Sequence, residues 1–195
     1  MTRHSELILH KVRGALEPPA KARRLLFEVR SQSVTRIDLT VLKVLLSENN
    51  ERGVFITVDR PDKHLIGILE RQNLAPPEGA GQPRKRLFIA GAMFSPAIFV
   101  DKLLSQLSDA RKGPSLQEEM QGMGFVMLDN FGSLGVYNGP RAIAVFIERV
   151  MVLLGLFPSL RFLTCAPRGS IGGLGPAVEG FFEQTIEIPD AWFAE

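Results

Sequence analysis

The sequence has few of the residues from which metal centres and redox sites are built. It contains one cysteine, Cys165, and three histidines, His4, His10 and His64. A single cysteine excludes an internal disulfide, and near the end of an apolar segment it is expected to be a small core residue. The histidines lack the spacing of metal ligands relative to one another or to the cysteine, so no zinc site is expected.

Long apolar runs are also missing. The longest, Val150 to Phe157, is far shorter than the roughly 20 residues that a membrane span requires. Residues 1–14 mix charged with apolar residues and contain no small-residue cleavage site, unlike a secretory signal. We therefore expect no membrane span and a cytoplasmic location.

The chain has no strong excess of one charge. It has 23 lysines and arginines against 21 acidic residues, a formal net charge of +2. Basic residues cluster at Lys11 and Arg13, at Lys21, Arg23 and Arg24, and at 84–86, and a nucleic-acid partner would require these clusters to converge. Because solvated loop edges also carry such runs, a nucleic-acid partner is not favoured.

The length of 195 residues and the 45% apolar composition fit one domain with a single large core. We expect residues 1–24 to form an N-terminal helix and linker, and residues 25–190 to form an α/β core. Apolar, strand-like segments alternate with helix-length connections, which predicts a mainly parallel sheet in a three-layer α/β/α sandwich. The predicted strands are Leu25–Val29, Val54–Val58, Leu87–Ala90, Phe125–Leu128, Leu160–Thr164 and Thr185–Ile188.

Several local signals predict where helices begin. Thr35, with Asp38 three residues later, is a variant of the capping box, and proline is well placed in the first turn at Pro61 and after Ser95. Asn138 is expected to cap the helix that follows at Pro140. Segment 75–86 is predicted to be a surface loop, and the region of Pro176 a short helix. A polar stretch with Glu118 and Glu119 is expected before Phe125, and a glycine-rich connection is expected after Leu128.

Two acidic residues follow predicted strands. Asp129 comes directly after Phe125–Leu128, and Asp59 comes directly after Val54–Val58. Ligands of parallel α/β sheets bind at the carboxyl ends of strands, so these carboxylates are candidates for a functional site. The structural alternatives are that Asp129 caps the following turn and that Asp59 caps the helix near Pro61.

The turn after the first strand, Arg30 to Arg36, contains neither glycine nor lysine. A phosphate-binding loop uses glycines to turn backbone N–H groups toward the phosphates and a lysine to neutralise them. The β-carbons of Ser31 to Thr35 crowd such an arrangement, and the planar fork of Arg36 does not replace a compact ammonium. The serine and threonine hydroxyls near a helix N-terminus still favour a weak anion site.

Two segments together resemble the RecA-like ATPases of the KaiC type, especially an archaeal branch of that superfamily. They are Gly53 to Pro61 (GVFITVDRP) and Asp129 to Asn138 (DNFGSLGVYN), and the resemblance covers roughly residues 25 to 190. It implies a RecA-like sheet with a degenerate Walker A loop at Ser31, Ser33, Thr35 and Arg36. It further implies a magnesium ligand at Asp129, and it places Asp59 where active members have a catalytic glutamate.

Three functions follow as hypotheses, and the least favoured is a nucleic-acid-associated protein that binds single strands in the RecA manner. The favoured one is a non-catalytic RecA-like domain with lost or weak nucleotide binding and no cofactor, which acts through a protein partner or self-association. The alternative is a divergent Mg-dependent ATPase or nucleotide sensor that uses Arg36, Asp59 and Asp129.

Other features bear on these hypotheses. The apolar residues of the first helix and Trp192 with Phe193 offer packing surface, unless both fold back on the domain. The loop Gly169 to Gly175 is a second candidate phosphate cradle, although its glycines more simply supply turns. Serine-hydrolase chemistry is excluded, because no histidine follows the candidate serine, Ser133.

Overall fold

The centre of the molecule is a sheet of six strands with helices on both faces. The computed structural model describes residues 3–17, 22–59, 61–72, 74, 87–92, 96–109, 111, 113–175, 178 and 180–193. The strands are β1 (Arg24–Val29), β2 (Gly53–Thr57), β3 (Leu87–Gly91), β4 (Phe125–Leu128), β5 (Arg161–Pro167) and β6 (Gln184–Glu187). The helices are α1 (Arg3–Leu16), α2 (Val34–Lys43), α3 (Asp62–Arg71), α4 (Pro96–Ser108), α5 (Gly113–Gln121), α6 (Phe131–Tyr137) and α7 (Pro140–Leu156).

All strand pairs are parallel, and the strand order is β3-β2-β4-β5-β1-β6. The central strands β2, β4 and β5 are almost continuously buried, as expected for a parallel sheet that is covered on both faces. The α/β class and the three-layer sandwich predicted from the sequence are therefore confirmed. The predicted strands match within three residues at each end.

The helices divide between the two faces according to their place in the chain. Helices α1, α2 and α3 pack on one face, where Phe27, Phe55 and Phe125 are fully buried. Helices α4 to α7 and the segment before β6 pack on the other face. There Phe162 contacts Phe146 and Phe181, with ring centroids 6.1 and 5.5 Å apart. Apolar burial on both faces holds the layers together.

The two terminal segments pack against the domain. Ile8, Val12 and Leu16 of α1 are buried in the core of that face. The last 3₁₀ turn, Asp190–Phe193, lies against α1, where the Lys11 ammonium is 5.6 Å from the centre of the Trp192 ring. The apolar surface of these segments is thus used within the chain.

The N-terminal basic residues also make internal contacts. Arg13 holds Glu48 with two hydrogen bonds of 2.6 and 2.8 Å, and this pairing lowers the pKa of the Glu48 carboxyl. The guanidinium of Arg23 donates to three backbone carbonyls around the end of α7, and Arg24 pairs with Glu183 at 2.8 Å. Lys21 and residues 84–86, which belong to the other basic clusters, lie outside the described residues.

Some predicted elements differ from the structure. The segment predicted as a polar stretch forms helix α5, and the segment predicted as a glycine-rich connection forms helix α6. Helix α6 forms because Phe131 and Leu134 pack into the core. Asn138 ends α6, and Gly139 occupies the N-cap of α7. No helix appears between Arg168 and Glu183 in the part of that segment that is described. The predicted loop 75–86, Ser95 and Pro176 lie outside the described residues.

The prediction that Thr35 caps the second helix is wrong. Thr35 lies inside α2, Ser33 is at the N-cap position, and no side-chain capping hydrogen bond is formed there. Asp38 is buried at 2% exposure in place of capping. The helix is instead stabilised by its apolar stripe, since Ile37, Val41 and their neighbours are buried against the sheet.

Helix length also bears on the membrane prediction. The longest helix, α7, has 17 residues. Across the described part of the chain, no helix combines the length and apolar character needed to cross a bilayer.

Candidate functional site

The carboxyl ends of β2 and β4 form a junction between the two faces of the sheet. After β2 the chain crosses to the face of α3, whereas after β4 it crosses to the face of α6. The two strands are neighbours, with Ile56 opposite Leu128. Parallel α/β sheets bind ligands where the connections after neighbouring strands diverge in this way, so the junction is a candidate binding site.

The side chain of Asp129 fills this junction from inside. It is fully buried, at 0% exposure. Its Oδ2 accepts a hydrogen bond from Thr57 Oγ1 at 2.8 Å, and its Oδ1 accepts one from the Val58 backbone N–H at 3.0 Å. The Asp59 backbone N–H lies 3.5 Å from Oδ2. Asp129 therefore joins its own strand end to the turn that follows β2.

Asp59 lies on the outer side of the same junction. Its side chain is exposed, and its Oδ2 accepts a hydrogen bond of 2.7 Å from Asn130 Nδ2. The structure thus brings Asp59 and Asp129 together at neighbouring strand ends. Asp59 does not cap α3, because Pro61 occupies that N-cap position and makes no side-chain capping hydrogen bond.

The Asp129 carboxylate is closed to a magnesium ion in this arrangement. Both oxygens of Asp129 accept hydrogen bonds from protein donors, and its side chain is closed to solvent. Magnesium requires oxygen ligands that point to a common, accessible centre. Among the described residues, no group of three or more histidine, cysteine or acidic side chains is placed to hold a metal ion.

The turn after β1 is a tight 3₁₀ turn, Ser31–Ser33. The Ser33 N–H donates to the Arg30 carbonyl at 2.8 Å, and Ser33 is itself buried. Asn50, elsewhere in the chain, is the one non-glycine residue with a positive φ in the described ranges. A phosphate nest needs alternating right- and left-handed residues, so this turn has no such cradle. The residues present do not fit a magnesium-bound triphosphate.

Thr35 and Arg36 extend away from the junction, along the outer side of α2. Arg36 Nη2 donates to Ser5 Oγ of α1 at 2.7 Å, and its guanidinium lies 5.7 Å from the centre of the Phe193 ring. Thr35 and Arg36 both line an open groove on that outer side. In the sheet, β5 lies between β1, which precedes Arg36, and β4, which precedes Asp129.

The glycine-rich loop after β5 is a packing element. Gly169 and Gly175 have positive φ values of 74° and 97°, which glycine adopts without strain. A β-carbon on Gly135 of α6 would lie 2.1 Å from Leu174 Cδ2, so the absence of a side chain lets α6 approach this loop. Arg168 donates to the Ile188 carbonyl at 3.1 Å, toward β6.

A polar pair behind β1 and β5 was missed by the sequence reasoning. Cys165 of β5 is fully buried, as predicted, and Asp38 of α2 lies beside it. Burial raises the pKa of the Cys165 thiol, and the charge and hydrogen bond of Asp38 raise it further. The position of Asp38 was a usable signal, because it falls on the same helical stripe as the buried Val34, Val41 and Leu42.

Comparison with known proteins adds no assignment. A scan of the chain against models of known protein families gives no match. A search of curated proteins likewise finds none with significant similarity to the chain.

Proposed function

We propose that this chain is a non-catalytic domain of RecA-like type that acts through contact with another protein. In this proposal it does not bind nucleotide in the manner of a P-loop ATPase. The RecA-like part is supported by the motif resemblance together with an all-parallel sheet that carries Asp59 and Asp129 on neighbouring strand ends.

One observation carries the non-catalytic part. The Asp129 carboxylate, which the resemblance assigns to magnesium, is buried and accepts hydrogen bonds from Thr57 and Val58. To reach a metal ion, this carboxylate would have to become accessible, which requires the junction between β2 and β4 to open. Opening the junction would loosen the hydrogen bonds to Thr57 and Val58, which contribute about 1.5–3 kcal/mol each, so it is unfavourable.

The first turn supports the same conclusion independently. A triphosphate needs inward-pointing N–H groups and a nearby cation, whereas Ser31–Ser33 is closed by its own hydrogen bond and Arg36 lies on the outer side of α2. A domain that retains the sheet but has no open phosphate site can still act through its outer surfaces. In this proposal those surfaces contact another protein.

The test is isothermal titration of the purified protein with ATP and with ADP in the presence of magnesium. We expect no heat of binding at ligand concentrations that saturate active P-loop ATPases, and no phosphate release. Asp59→Asn is the matched variant, because its exposed side chain can be changed without disturbing the core. Micromolar binding in the parent protein that this variant weakens would support the divergent ATPase instead.

A further inference from the structure

A groove runs along the outer side of α2 and ends at the residues that follow α3. It has a volume of about 480 Å³. We refer to it as the α2–α3 groove, and it is lined by Gln32, Thr35, Arg36, Leu39, Thr40, Lys43, Gln72 and Leu74. All of these residues belong to α2, the turn before it or the segment after α3, so the described lining of the groove contains no strand edge.

The groove has a positive charge that its own residues do not balance. Its described lining residues include Arg36 and Lys43, and none of them is acidic. Arg36 contacts the hydroxyl of Ser5 and the ring of Phe193, which are both neutral. The carboxylate near Lys43 is Glu48, and Arg13 already holds both oxygens of that group. A ligand that brings two negative charges would complement this surface.

The distance between the two positive charges of the groove determines how far apart the acidic groups of a partner must lie. Arg36 and Lys43 are two turns apart on one helix, which is about 10 Å at 1.5 Å per residue. Leu39 lies between them, and Leu74 faces the groove from the other wall. A complementary partner therefore carries two acidic groups about two helical turns apart with apolar side chains between them.

An amphipathic helix meets these requirements better than the alternatives. An extended peptide needs a strand edge to pair its backbone, and the residues described along the groove offer none, whereas a helix satisfies its own backbone hydrogen bonds. A nucleic-acid strand needs a longer row of cations and aromatic rings for its bases, and the eight lining residues that the structure describes include no aromatic side chain.

We propose that the α2–α3 groove docks an acidic amphipathic helix of a partner protein. Two carboxylates of that helix, seven residues apart, pair with Arg36 and Lys43, and leucine-type side chains between them contact Leu39 and Leu74. This inference rests on the proposed function, in which the chain acts through a protein partner, and it specifies the chemistry of that partner.

Fluorescence anisotropy with a labelled synthetic helix tests the proposal. The acidic probe carries glutamates seven residues apart with two leucines between them, and a second probe has lysines in place of these glutamates. We expect the acidic probe to bind the parent protein and the lysine probe not to bind. The double variant R36E/K43E should weaken binding of the acidic probe at least tenfold and should acquire binding of the lysine probe.

The control is K102E/R141E, which changes net charge equally on exposed residues of α4 and α7, on the other face of the sheet. It should bind the acidic probe like the parent protein. If R36E/K43E does not fold by circular dichroism, R36Q/K43Q replaces it, with the same expected loss of the acidic probe.

Three results would overturn the groove proposal: no binding of the acidic probe, equal binding of both probes, or equal weakening by the control. Tighter binding of single-stranded DNA than of the probe, lost in R36Q/K43Q, would assign the groove to nucleic acid and also overturn it. Nucleotide titration is read separately. Nucleotide binding that Asp59→Asn weakens would refute the non-catalytic function, whether or not the probe binds.

Discussion

Thr57 Oγ1 donates a hydrogen bond of 2.8 Å to Asp129 Oδ2, and this bond joins the carboxyl ends of β2 and β4 from within the core. Both residues are fully buried. The carboxylate at this position thus has an architectural task, because it fixes the turn after β2 against the strand that carries it. This structural role explains why an acidic residue occupies the strand end although no ligand site is accessible there.

Removing this carboxylate is expected to destabilise the fold. Asp129→Ala deletes the acceptor of the Thr57 hydroxyl and the Val58 N–H, and should lower the free energy of unfolding by about 3 kcal/mol. Thr57→Val removes one of these bonds and should lower it by about 1 kcal/mol. Urea denaturation of the two single variants and the double variant measures both effects and their coupling.

The coupling between the stability effects of Thr57→Val and Asp129→Ala shows whether the two side chains interact. If the hydrogen bond operates as described, the effects of the two substitutions are less than additive. Thr185→Val on the exposed face of β6 is the matched control and should change stability by less than about 0.5 kcal/mol. Strictly additive losses from Thr57→Val and Asp129→Ala would show that the two side chains act independently.

A second prediction concerns a glycine in the sheet. A β-carbon on Gly53 of β2 would lie 2.6 Å from ring atoms of Phe125 on the neighbouring β4. Gly53→Ala should therefore overpack the core and lower stability by about 1–3 kcal/mol. The measurement is the urea midpoint of the variant against the parent protein.

The matched control for this substitution is Gly67→Ala in α3, where an added β-carbon meets nothing within 4 Å. It should raise stability by about 0.5–1 kcal/mol, because alanine is the better helix former. If both alanine variants lose stability equally, the contact with Phe125 is not the cause.

A third prediction concerns the thiol of Cys165. Because the side chain is fully buried and its pKa is raised, the native protein should react with a thiol reagent only as fast as it unfolds. Labelling followed by mass spectrometry, with and without denaturant, measures this rate. Rapid labelling under native conditions would contradict the buried position.

The same pKa shift predicts a dependence of stability on pH. Above the pKa of an unfolded thiol, about 8.5, the unfolded chain loses this proton while the folded chain keeps it. The unfolded state then binds fewer protons, so the free energy of unfolding falls as pH rises. Between about pH 8 and 10, stability should fall more steeply in the parent protein than in Cys165→Ala. Equal slopes would show that burial does not hold the proton on the thiol.

The sequence was most informative about the sheet. Phe125–Leu128 was predicted at its observed bounds and the other strands within three residues, because an apolar run between polar turns is a local property of the chain. Helix-length connections between the runs require parallel pairing, and this predicted the three-layer class. Helices α5 and α6 were missed, since α6 is short and is stabilised by packing of Phe131 and Leu134 rather than by its own sequence.

The candidate site could be predicted from the sequence only in part. The sequence shows that the turn after β1 contains neither glycine nor lysine, and this predicted that the turn does not bind phosphate as a P-loop does. That Arg36 contacts Ser5 and lines a groove on the outer side of α2 was not visible, because those neighbours are set by the packing of α1.

By itself, the sequence determined the parallel α/β class, the strand positions, the buried place of Cys165 and the two acidic strand ends. These depend on composition and on patterns within a few residues. Only the tertiary structure decided that Asp129 is closed in by Thr57 and Val58, and that Arg36 and Lys43 share a groove with Gln72 and Leu74. Thr57 is 72 residues from Asp129 along the chain, and a partner so distant is chosen by the order of the strands.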